Sequence, residues 1–476
     1  MDDIQLISRN SMMVGLREVI LKLAGFITFP IIARSIGVSV LGILGTAQAL
    51  AGILFLVADL GLNKSLIKEV AQNRENGDVI FSNALVLKTV SMTGAFLVGL
   101  ILVKFSCMDG VSTRLCILVL LLGFFVGIHE LGKSLFSAYE RMEFLPLIDG
   151  LSKMCTLGAV VLIFFVLKAS IIELQVCSIF ITVAIIALSL ELFNKKVSRI
   201  KFNPQSGLFR ALLKMSVPFM MVGLFAQTFG YVDSLMLASM VGTQAVGLYQ
   251  VAYKLVVLLQ LIPATISTAL FPTLSRLYVA NYSKFEYGVK RIFKYLLILS
   301  IPLTTSLYLM APSIVDRIFG EEYMESAGLV SILAWTLIFI FITFPIGISL
   351  GVSGNQKYNV IAVICGSTAN IIMNYVFITF WGITGVAIST VLTAAIIFIC
   401  STYFFKKVFK EIFMLEKSIW FLFICSIIFA GLQYLLSLKG VAGAVIFDGI
   451  FFLVVFAFKM IDREDRAIFL QVIRLN

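Results

Sequence analysis

Long hydrophobic segments of this sequence contain ionisable side chains whose chemistry has to be explained. The candidates for function are Arg17, Glu18, Lys22, Lys88, His129, Glu130, Lys133, Asp149, Lys153, Asp233 and Lys254, whereas Lys214 lies close to a helix start, from where its stem reaches the membrane surface. An ionisable group at the centre of a bilayer costs at least about 2.5 kcal/mol, so such groups normally face the protein interior or a water-filled cavity. There, basic side chains bind phosphate or carboxylate, and acidic side chains or histidine bind and release a cation or a proton.

The basic members of this set outnumber the acidic ones and concentrate in the first part of the chain. We predict that they line a cavity whose positive field attracts phosphate. The candidate substrate-binding residues are Arg17, Lys22, Lys88, Lys133, Lys153 and Lys254. The alternative is that the long lysine stems carry their ammonium groups to the membrane surface.

The acidic residues and the single histidine are candidates for coupling to an ion gradient. The candidate ion-coupling residues are Glu18, His129, Glu130, Asp149 and Asp233. Spacings of three or four residues predict three pairs on shared helix faces, namely Glu18–Lys22, Glu130–Lys133 and Asp149–Lys153. His129 titrates near neutral pH and suits proton coupling, or else it packs as a neutral side chain. Asp233 either coordinates a cation or pairs with Lys254.

The composition places the chain in a membrane. Hydrophobic residues make up 60% and charged residues 13% of its 476 residues, whereas soluble domains are about half apolar and about a quarter charged. Apolar runs of roughly twenty residues recur along the chain, and each is long enough as a helix to cross about 30 Å of hydrocarbon. Their continuity differs from the short alternating segments of a β-barrel. The net charge of +11 is spread over short loops, which argues against a nucleic-acid partner.

These runs predict an all-α polytopic membrane protein with about fourteen transmembrane helices. Six segments lie near residues 11–35, 41–62, 80–104, 113–139, 144–167 and 171–193. Six more lie near residues 211–237, 245–270, 291–313, 327–351, 356–378 and 382–404, and two follow near 418–436 and 442–460. The predicted divisions are therefore 1–193, a linker at 194–210, 211–404, and a C-terminal part at 405–476 with two helices and a tail.

The distribution of lysine and arginine over the loops predicts the orientation. Most basic loop residues fall in the connections that share a side with the N-terminus, whereas the other side holds only Arg34, Lys104, Arg114, Lys168, Arg317 and Lys439. Because cytoplasmic loops carry the excess of positive charge, both termini are predicted to be cytoplasmic.

The two groups of six segments carry a trace of internal repetition. Ala33, Gly37, Gly42 and Ala47 match Ala238, Gly242, Gly247 and Ala252 at a constant offset, each set between the first and second segment of its group. Repeats of this kind are typical of transporters that bind substrate between two halves.

Signatures of enzymes and of bound metal are missing from the sequence. It contains no Walker A, HExxH, GxSxG or CxxC motif, and its seven cysteines lack metal-ligand spacing. We therefore expect a transporter with no metal and no cofactor other than coupling H⁺ or Na⁺. A membrane-embedded glycan polymerase is the alternative from a different class. Cys107 and Cys116 flank a predicted external loop and are close enough in sequence to pair.

Three stretches of the chain resemble the Wzx-type polysaccharide flippases of the multidrug/oligosaccharidyl-lipid/polysaccharide exporter superfamily. They are Pro30-Ile-Ile-Ala-Arg34 with Gly37, Leu41-Gly42 and Ala58-Asp59-Leu-Gly61; Ile318-Phe-Gly-Glu-Glu-Tyr323 with Ala327; and Asn370 and Asn374 followed by Gly382-Ile-Thr-Gly385-Val-Ala387-Ile-Ser-Thr390. The resemblance implies two pseudo-symmetric six-helix lobes in a V, two further C-terminal helices, and alternating access.

The resemblance also implies the cargo and its setting. The cargo would be an oligosaccharide linked to undecaprenyl diphosphate, such as an O-antigen unit or a related surface-polysaccharide unit. The expected setting is the bacterial inner membrane, with membrane lipids and the lipid-linked glycan as partners, a glycan polymerase and a chain-length regulator as further ones, and the flippase itself a monomer. A flippase for a lipid-linked peptidoglycan precursor and a multidrug exporter of the same superfamily are the alternatives.

Overall fold

The computed structural model describes residues 3–105, 110–410 and 440–457, and within these ranges the regular secondary structure is entirely helical. The α-helices are α1 (Asp3–Ala58), α2 (Leu62–Gln72), α3 (Gly77–Phe105), α4 (Gly110–Ala138), α5 (Phe144–Val161), α6 (Ile171–Lys196), α7 (Phe209–Met240), α8 (Thr243–Leu259), α9 (Leu261–Ala280), α10 (Tyr282–Phe319), α11 (Glu325–Ala334), α12 (Thr336–Val352), α13 (Lys357–Val408) and α14 (Val441–Ala457). A π-helical turn, Leu162–Val166, extends α5.

Every predicted segment except one overlaps a described helix. Nine helical stretches of the described chain are long and apolar enough to cross a membrane, and two of them, Gly15–Gln72 and Lys357–Val408, have 58 and 52 residues. Since about twenty residues suffice for one crossing, each of these two is long enough to cross twice. The predicted segment at 418–436 lies outside the described residues, so the total of fourteen stays a prediction.

Two predicted loops are kinks at a single glycine, each between two helical arms. The first and second segments merge in α1, and the bend occurs at Gly37, which has φ 75°. The segments at 356–378 and 382–404 merge in α13 with a bend at Gly382, which has φ 54°. A glycine adopts such positive φ values without steric cost, so one residue interrupts the helix where a loop was predicted.

Polar side chains cap the starts of two helices, one of which begins earlier than predicted and one of which begins at the predicted residue. Helix α10 begins at Tyr282 rather than near residue 291, because the Asn281 side chain accepts a hydrogen bond from the Lys284 amide at 3.0 Å. Helix α6 begins with a capping box formed by Ser170 and Glu173. Such caps satisfy backbone N–H groups that have no partner within the helix.

The connection between α6 and α7 is bound to the start of α3. The Ser82 hydroxyl and the Asn83 side-chain oxygen accept hydrogen bonds from the amides of Asn203 and Gln205, at 3.0 and 3.1 Å. Both side chains are fully buried. The predicted linker is therefore held along part of its length against the N-terminal helices.

Helices α1 and α8 cross with their backbones in contact at two glycines of the predicted repeat. A Cβ atom on Gly42 would lie 1.8 Å from the Thr243 carbonyl oxygen, and one on Gly247 would lie 2.3 Å from the Val38 carbonyl oxygen. Real Cβ contacts are never so short. The matched positions thus have equivalent roles: the lack of a side chain at Gly42 lets the α8 backbone approach α1, and the lack of one at Gly247 lets the α1 backbone approach α8.

We predict that Gly247→Val disrupts this crossing. Overpacking a tight contact usually costs about 1–3 kcal/mol, and here backbone rather than a side chain would have to move. Thermal unfolding in detergent should show a lower midpoint and a reduced folded yield. The matched control is Gly94→Val, because a Cβ on Gly94 meets nothing within 4 Å. Equal stability of the two variants would contradict the proposed packing.

Candidate functional site

Three helices bring five ionisable side chains together in an Asp149 cluster, formed by Arg17, Glu18, Glu130, Lys133 and Asp149. The Asp149 carboxylate of α5 accepts a hydrogen bond from Arg17 Nε of α1 and another from Lys133 Nζ of α4, the latter at 2.8 Å. Lys133 also lies 2.7 Å from Glu130. Asp149 and Lys133 are buried. A single carboxylate therefore ties three helices together by charge-assisted hydrogen bonds.

One of the three predicted same-helix pairs is present among the described residues. The Glu130–Lys133 pair forms, whereas Asp149 binds Arg17 and Lys133 instead of Lys153, and Glu18 lies 3.4 Å from Arg17 instead of pairing with Lys22. The predictions of Glu18–Lys22 and Asp149–Lys153 pairs were wrong. A buried carboxylate gains more from two cations on neighbouring helices than from one neighbour on its own helix.

Three of the predicted substrate-binding lysines keep their ammonium groups unpaired. Among the described residues, Lys22, Lys153 and Lys254 make no hydrogen bond and no ion pair. Lys22 and Lys153 are partly exposed and Lys254 is exposed. Lys254 of α8 lies over the Phe29 ring of α1, 5.9 Å from its centroid, and within electrostatic range of Lys153 of α5. We call these three residues the unpaired lysines.

Lys88 occupies a different environment from the unpaired lysines. It is fully buried, and its ammonium group binds the Asp59 carboxylate and the Asn63 side-chain oxygen, the latter at 2.9 Å. Asp59 belongs to one of the stretches that carry the resemblance, yet sequence analysis gave it no partner. Asp59 lies inside the predicted segment 41–62 and just past the end of α1, and only the packing of α3 against that end brings Lys88 to it.

His129 is buried beside the Asp149 cluster. Neither ring nitrogen has a hydrogen-bond partner among the described residues, and the side chain lies within electrostatic range of Lys133 and Glu130. The structure thus places the histidine near charged groups without showing a proton path through it, and its coupling role stays a prediction.

A second polar cluster surrounds Asp233 and is buried within the C-terminal helices. The carboxylate accepts hydrogen bonds from the Tyr249 hydroxyl at 2.7 Å, the Asn374 amide at 2.6 Å and the Thr390 hydroxyl at 3.3 Å. Asn374 also donates to Asn370, at 3.2 Å. We call these residues the Asp233 cluster. Asp233, Asn370 and Asn374 are fully buried.

The Asp233 cluster contains an acid without a basic partner. Among the described residues Asp233 forms no ion pair, so the predicted alternative of an Asp233–Lys254 pair was wrong. Lys254 instead faces Phe29 of α1. The side-chain oxygen of Asn374 is also buried without a partner. The cluster thus offers a carboxylate and an unused amide oxygen, with a hydroxyl beside them, and hard cations prefer oxygen ligands of these kinds.

The sequence marks Asn370, Asn374 and Thr390 only through the resemblance, and nothing in it marks Tyr249. One signal in the sequence could have indicated a polar site. Asn370 and Asn374 are four residues apart in an apolar helix and therefore share a helix face. Their common partner lies on another helix more than a hundred residues away, and nothing local indicates it.

Two stretches that carry the resemblance meet at the Gly37 end of the molecule. The Arg34 guanidinium donates to the carbonyl oxygen of Arg317 at 2.5 Å, and the Glu322 carboxylate accepts from the Val38 amide at 2.9 Å. The buried Tyr323 hydroxyl donates to the Ala33 carbonyl oxygen at 2.7 Å. We call these contacts the Glu322 clasp. It joins the kink of α1 to the segment between α10 and α11.

No cluster of three or more His, Cys, Asp or Glu side chains that could hold a metal ion occurs in the described part of the chain. Cys116 is buried in α4. Cys107 lies outside the described residues, so a pairing between the two stays a prediction.

Comparisons with known proteins identify related chains. The family model described as "Polysaccharide biosynthesis protein" matches residues 7–278, and the model described as "MatE" matches residues 218–376. The flippase Agl15 of Haloferax volcanii, named for low-salt glycan biosynthesis, is 21% identical over 430 residues, covering 90% of this chain and 89% of the relative. A Shigella flexneri protein named as an O-antigen transporter is 22% identical over 373 residues, covering 75% and 88%.

Two further comparisons concern an archaeal relative and a solved structure. A membrane protein of Methanocaldococcus jannaschii is 28% identical over 257 residues, which covers 52% of this chain and only 50% of that relative. The structure titled "Lipid II flippase MurJ, inward closed conformation" has a TM-score of 0.75 at 14% identity and covers 94% of this chain and 98% of its own. At this identity the structural likeness is evidence of a shared fold alone.

We expect Asp149→Ala to destabilise the protein by about 3–5 kcal/mol, because it leaves Arg17 and Lys133 as partly or fully buried charges without their shared carboxylate. Thermal unfolding in detergent measures the loss. The matched control is Glu140→Ala, which removes the acid of the exposed Arg74–Glu140 pair and should cost less than about 1 kcal/mol. An Asp149→Ala variant as stable as this control would show that the cluster is not a structural tie.

Proposed function

Because the chain belongs to the polysaccharide biosynthesis protein family, we propose that it carries a polyprenyl-diphosphate-linked oligosaccharide from the cytoplasmic to the outer leaflet. The chain is a multi-pass flippase of the multidrug/oligosaccharidyl-lipid/polysaccharide exporter superfamily and a transporter rather than an enzyme. The cargo would be an O-antigen unit or a related surface-polysaccharide unit, and the membrane the bacterial inner membrane.

The observation that carries the proposed cargo is the set of unpaired lysines. An ammonium group inside a membrane protein is stable only when an anion, a polar group or water meets it. Lys22, Lys153 and Lys254 lack such a partner among the described residues, and they lie on α1, α5 and α8, of which α1 packs against the other two. A diphosphate would accept charge-assisted hydrogen bonds from these cations.

The Asp149 cluster and Lys88 would then hold the site in shape rather than bind the cargo. Arg17 and Lys133 are already engaged by Asp149, and Lys88 by Asp59. These ties fix α1 relative to α3, α4 and α5. Arg17 is only partly buried, so its remaining N–H donors would complete the diphosphate site.

We propose that transport proceeds by alternating access between two six-helix lobes, residues 1–193 and 211–404. The Glu322 clasp would close the outer side, since Arg34 and Arg317 fall in predicted outer loops. Opening would break three hydrogen bonds and separate α1 from α8 near Gly42. Both termini would be cytoplasmic, and the chain would act as a monomer.

Ion coupling is the second part of the proposal, and it rests on the Asp233 cluster. Burial of a carboxylate without a countercharge is costly, and a bound proton or Na⁺ would remove that cost. The oxygens of Asp233, Asn374 and Thr390 suit either ion. Asp233 lies on α7, which packs against α1 and α13, so the charge state of this residue would bias how the two lobes meet.

The first test concerns the cargo. In proteoliposomes with a labelled lipid-linked oligosaccharide, Lys153→Gln and Lys254→Gln should each reduce flipping by about tenfold, equivalent to about 1.4 kcal/mol. Lys153→Arg and Lys254→Arg should retain more activity than the Gln variants, because they keep the charge. The control is Lys195→Gln, since Lys195 is exposed and pairs with Glu191 at the end of α6.

Two outcomes of this assay would contradict the proposal. Full activity of the Lys153→Gln/Lys254→Gln double variant, with a normal folded yield, would remove the unpaired lysines from the cargo site. If the protein flips a lipid-linked peptidoglycan precursor in preference to the oligosaccharide, its cargo is that precursor. If it exports only a cationic drug, it is a multidrug exporter.

The second test concerns ion coupling. Asp233→Asn keeps the size of the side chain and removes its charge, so flipping should lose its stimulation by an imposed Na⁺ or H⁺ gradient. The control is Asp448→Asn, which alters a carboxylate bound to Ser306 elsewhere in the C-terminal helices. If Asp233→Asn keeps a gradient response as large as the wild type, Asp233 is not the coupling residue.

A further inference from the structure

A cavity of about 700 Å³ lies within the C-terminal helices, apart from the Asp149 cluster and the unpaired lysines. Residues of α8, α9, α11, α12 and α13 line it. Its volume is typical of a ligand site and sufficient for about twenty water molecules. The sequence analysis had no indication of this cavity, because its walls come from separate apolar helices.

The cavity is elongated along the helices. On the arm of α13 that follows the bend at Gly382, its lining runs from Thr390 to Ser401, which corresponds to about 16 Å at 1.5 Å per residue. At one end it includes Asn359, two residues inside the first turn of α13 and next to the loop at 353–356. That loop falls on the predicted cytoplasmic side. The cavity thus extends from the cytoplasmic end of this helix group toward the middle of the membrane.

The deep end of the cavity reaches the Asp233 cluster. Thr390 lines the cavity and also donates a hydrogen bond to the Asp233 carboxylate at 3.3 Å. Tyr253 lines it as well and stacks on Tyr249, with ring centroids 5.8 Å apart. Tyr249 in turn binds Asp233 at 2.7 Å. One residue therefore separates the cavity from the carboxylate.

The side chains along the cavity are neutral; about half of the lining residues are polar, although most of the lining surface is apolar. They include the hydroxyls of Ser267, Thr336 and Thr343 and the amide of Asn359. Thr336, Thr343 and Asn359 donate their hydrogen bonds to backbone carbonyls, which leaves their oxygen atoms able to accept. A small cation moving along this mostly apolar wall would meet these hydroxyl and amide oxygens and no ammonium group.

The proposed cargo route differs in this respect. A cation approaching Asp233 past Lys153 and Lys254 would be repelled by both ammonium groups, with an energy of about 1 kcal/mol per pair at 4 Å even in bulk water. A route lined by neutral oxygens avoids that barrier. The arrangement of charge therefore favours separate paths for the anionic cargo and for the coupling cation.

We propose that this cavity is the vestibule through which Na⁺ or H⁺ passes between the cytoplasm and Asp233, separate from the path of the cargo. The inference rests on the ion coupling assigned to Asp233 above. The ion moves inside the C-terminal lobe while the lipid-linked glycan moves between the lobes. Thr390 is the last side chain the ion meets before the carboxylate.

Cysteine labelling tests the path without using any cargo. In a variant without native cysteines, Thr343→Cys should react with a membrane-impermeant thiol reagent in inside-out vesicles and stay unreacted in right-side-out vesicles. Leu392→Cys is the control, since Leu392 is exposed on α13 and is not part of the cavity wall. Labelling from the outer side only, from both sides equally, or from neither side would overturn the proposed path.

Filling the cavity tests its role. Ala394 is one turn beyond Thr390 and lines the cavity, so Ala394→Phe should reduce the gradient-stimulated part of flipping by about tenfold or more, because passage depends on pore diameter. The binding of labelled cargo should stay unchanged. Leu392→Phe adds the same ring on the same helix outside the cavity and should behave as wild type.

The outcomes separate this inference from the proposals it rests on. A folded Ala394→Phe variant with normal gradient stimulation overturns the vestibule, while the Asp233→Asn assay reports independently on coupling. Loss of cargo binding in Ala394→Phe would also overturn the vestibule, because it would place the cargo in this cavity. If the lipid-linked oligosaccharide is not flipped but Thr343→Cys is labelled from the cytoplasmic side only, the proposed cargo is wrong and the proposed ion path stands.

Discussion

The energetic cost of charge inside a bilayer is the constraint on which the rest of this structure depends. Each ionisable side chain in an apolar helix must find an opposite charge, a polar group or water. Asp149 meets this requirement for two cations at once and thereby joins α1, α4 and α5. Lys88 meets it through Asp59 and Asn63. The groups that remain without a partner are the ones that a ligand has to satisfy.

The remaining groups are of opposite sign and lie in different places. The unpaired lysines lie on α1, α5 and α8, whereas the acid without a basic partner, Asp233, is buried among hydroxyl and amide groups on the C-terminal helices. A transporter that exchanges a polyanionic cargo against a cation needs both kinds of site without allowing one to neutralise the other. The separation of Lys254 from Asp233 is consistent with that need.

Helix α1 connects these regions. Its first arm supplies Arg17 and Lys22, its kink at Gly37 meets Glu322, and its second arm crosses α8 at Gly42. Because the crossing at Gly42 and Gly247 brings backbone against backbone, a small shift of α1 is transmitted to α8 rather than absorbed by side chains. Charged positions and repeat positions therefore both lie on α1, because this helix contributes to the charged site and also makes the crossing with α8.

The sequence by itself determined the all-helical membrane class, nearly all of the helical segments and the set of charged residues, because hydrophobic length and the excess of buried charge are local properties. The same-helix pair Glu130–Lys133 was predictable for the same reason. Only the tertiary structure decided that Asp149 binds Arg17 and Lys133, that Lys88 is held by Asp59, and that Lys254 faces Phe29 instead of Asp233. Each of those choices depends on which helices become neighbours, and partners on different helices leave no periodic signal in the sequence.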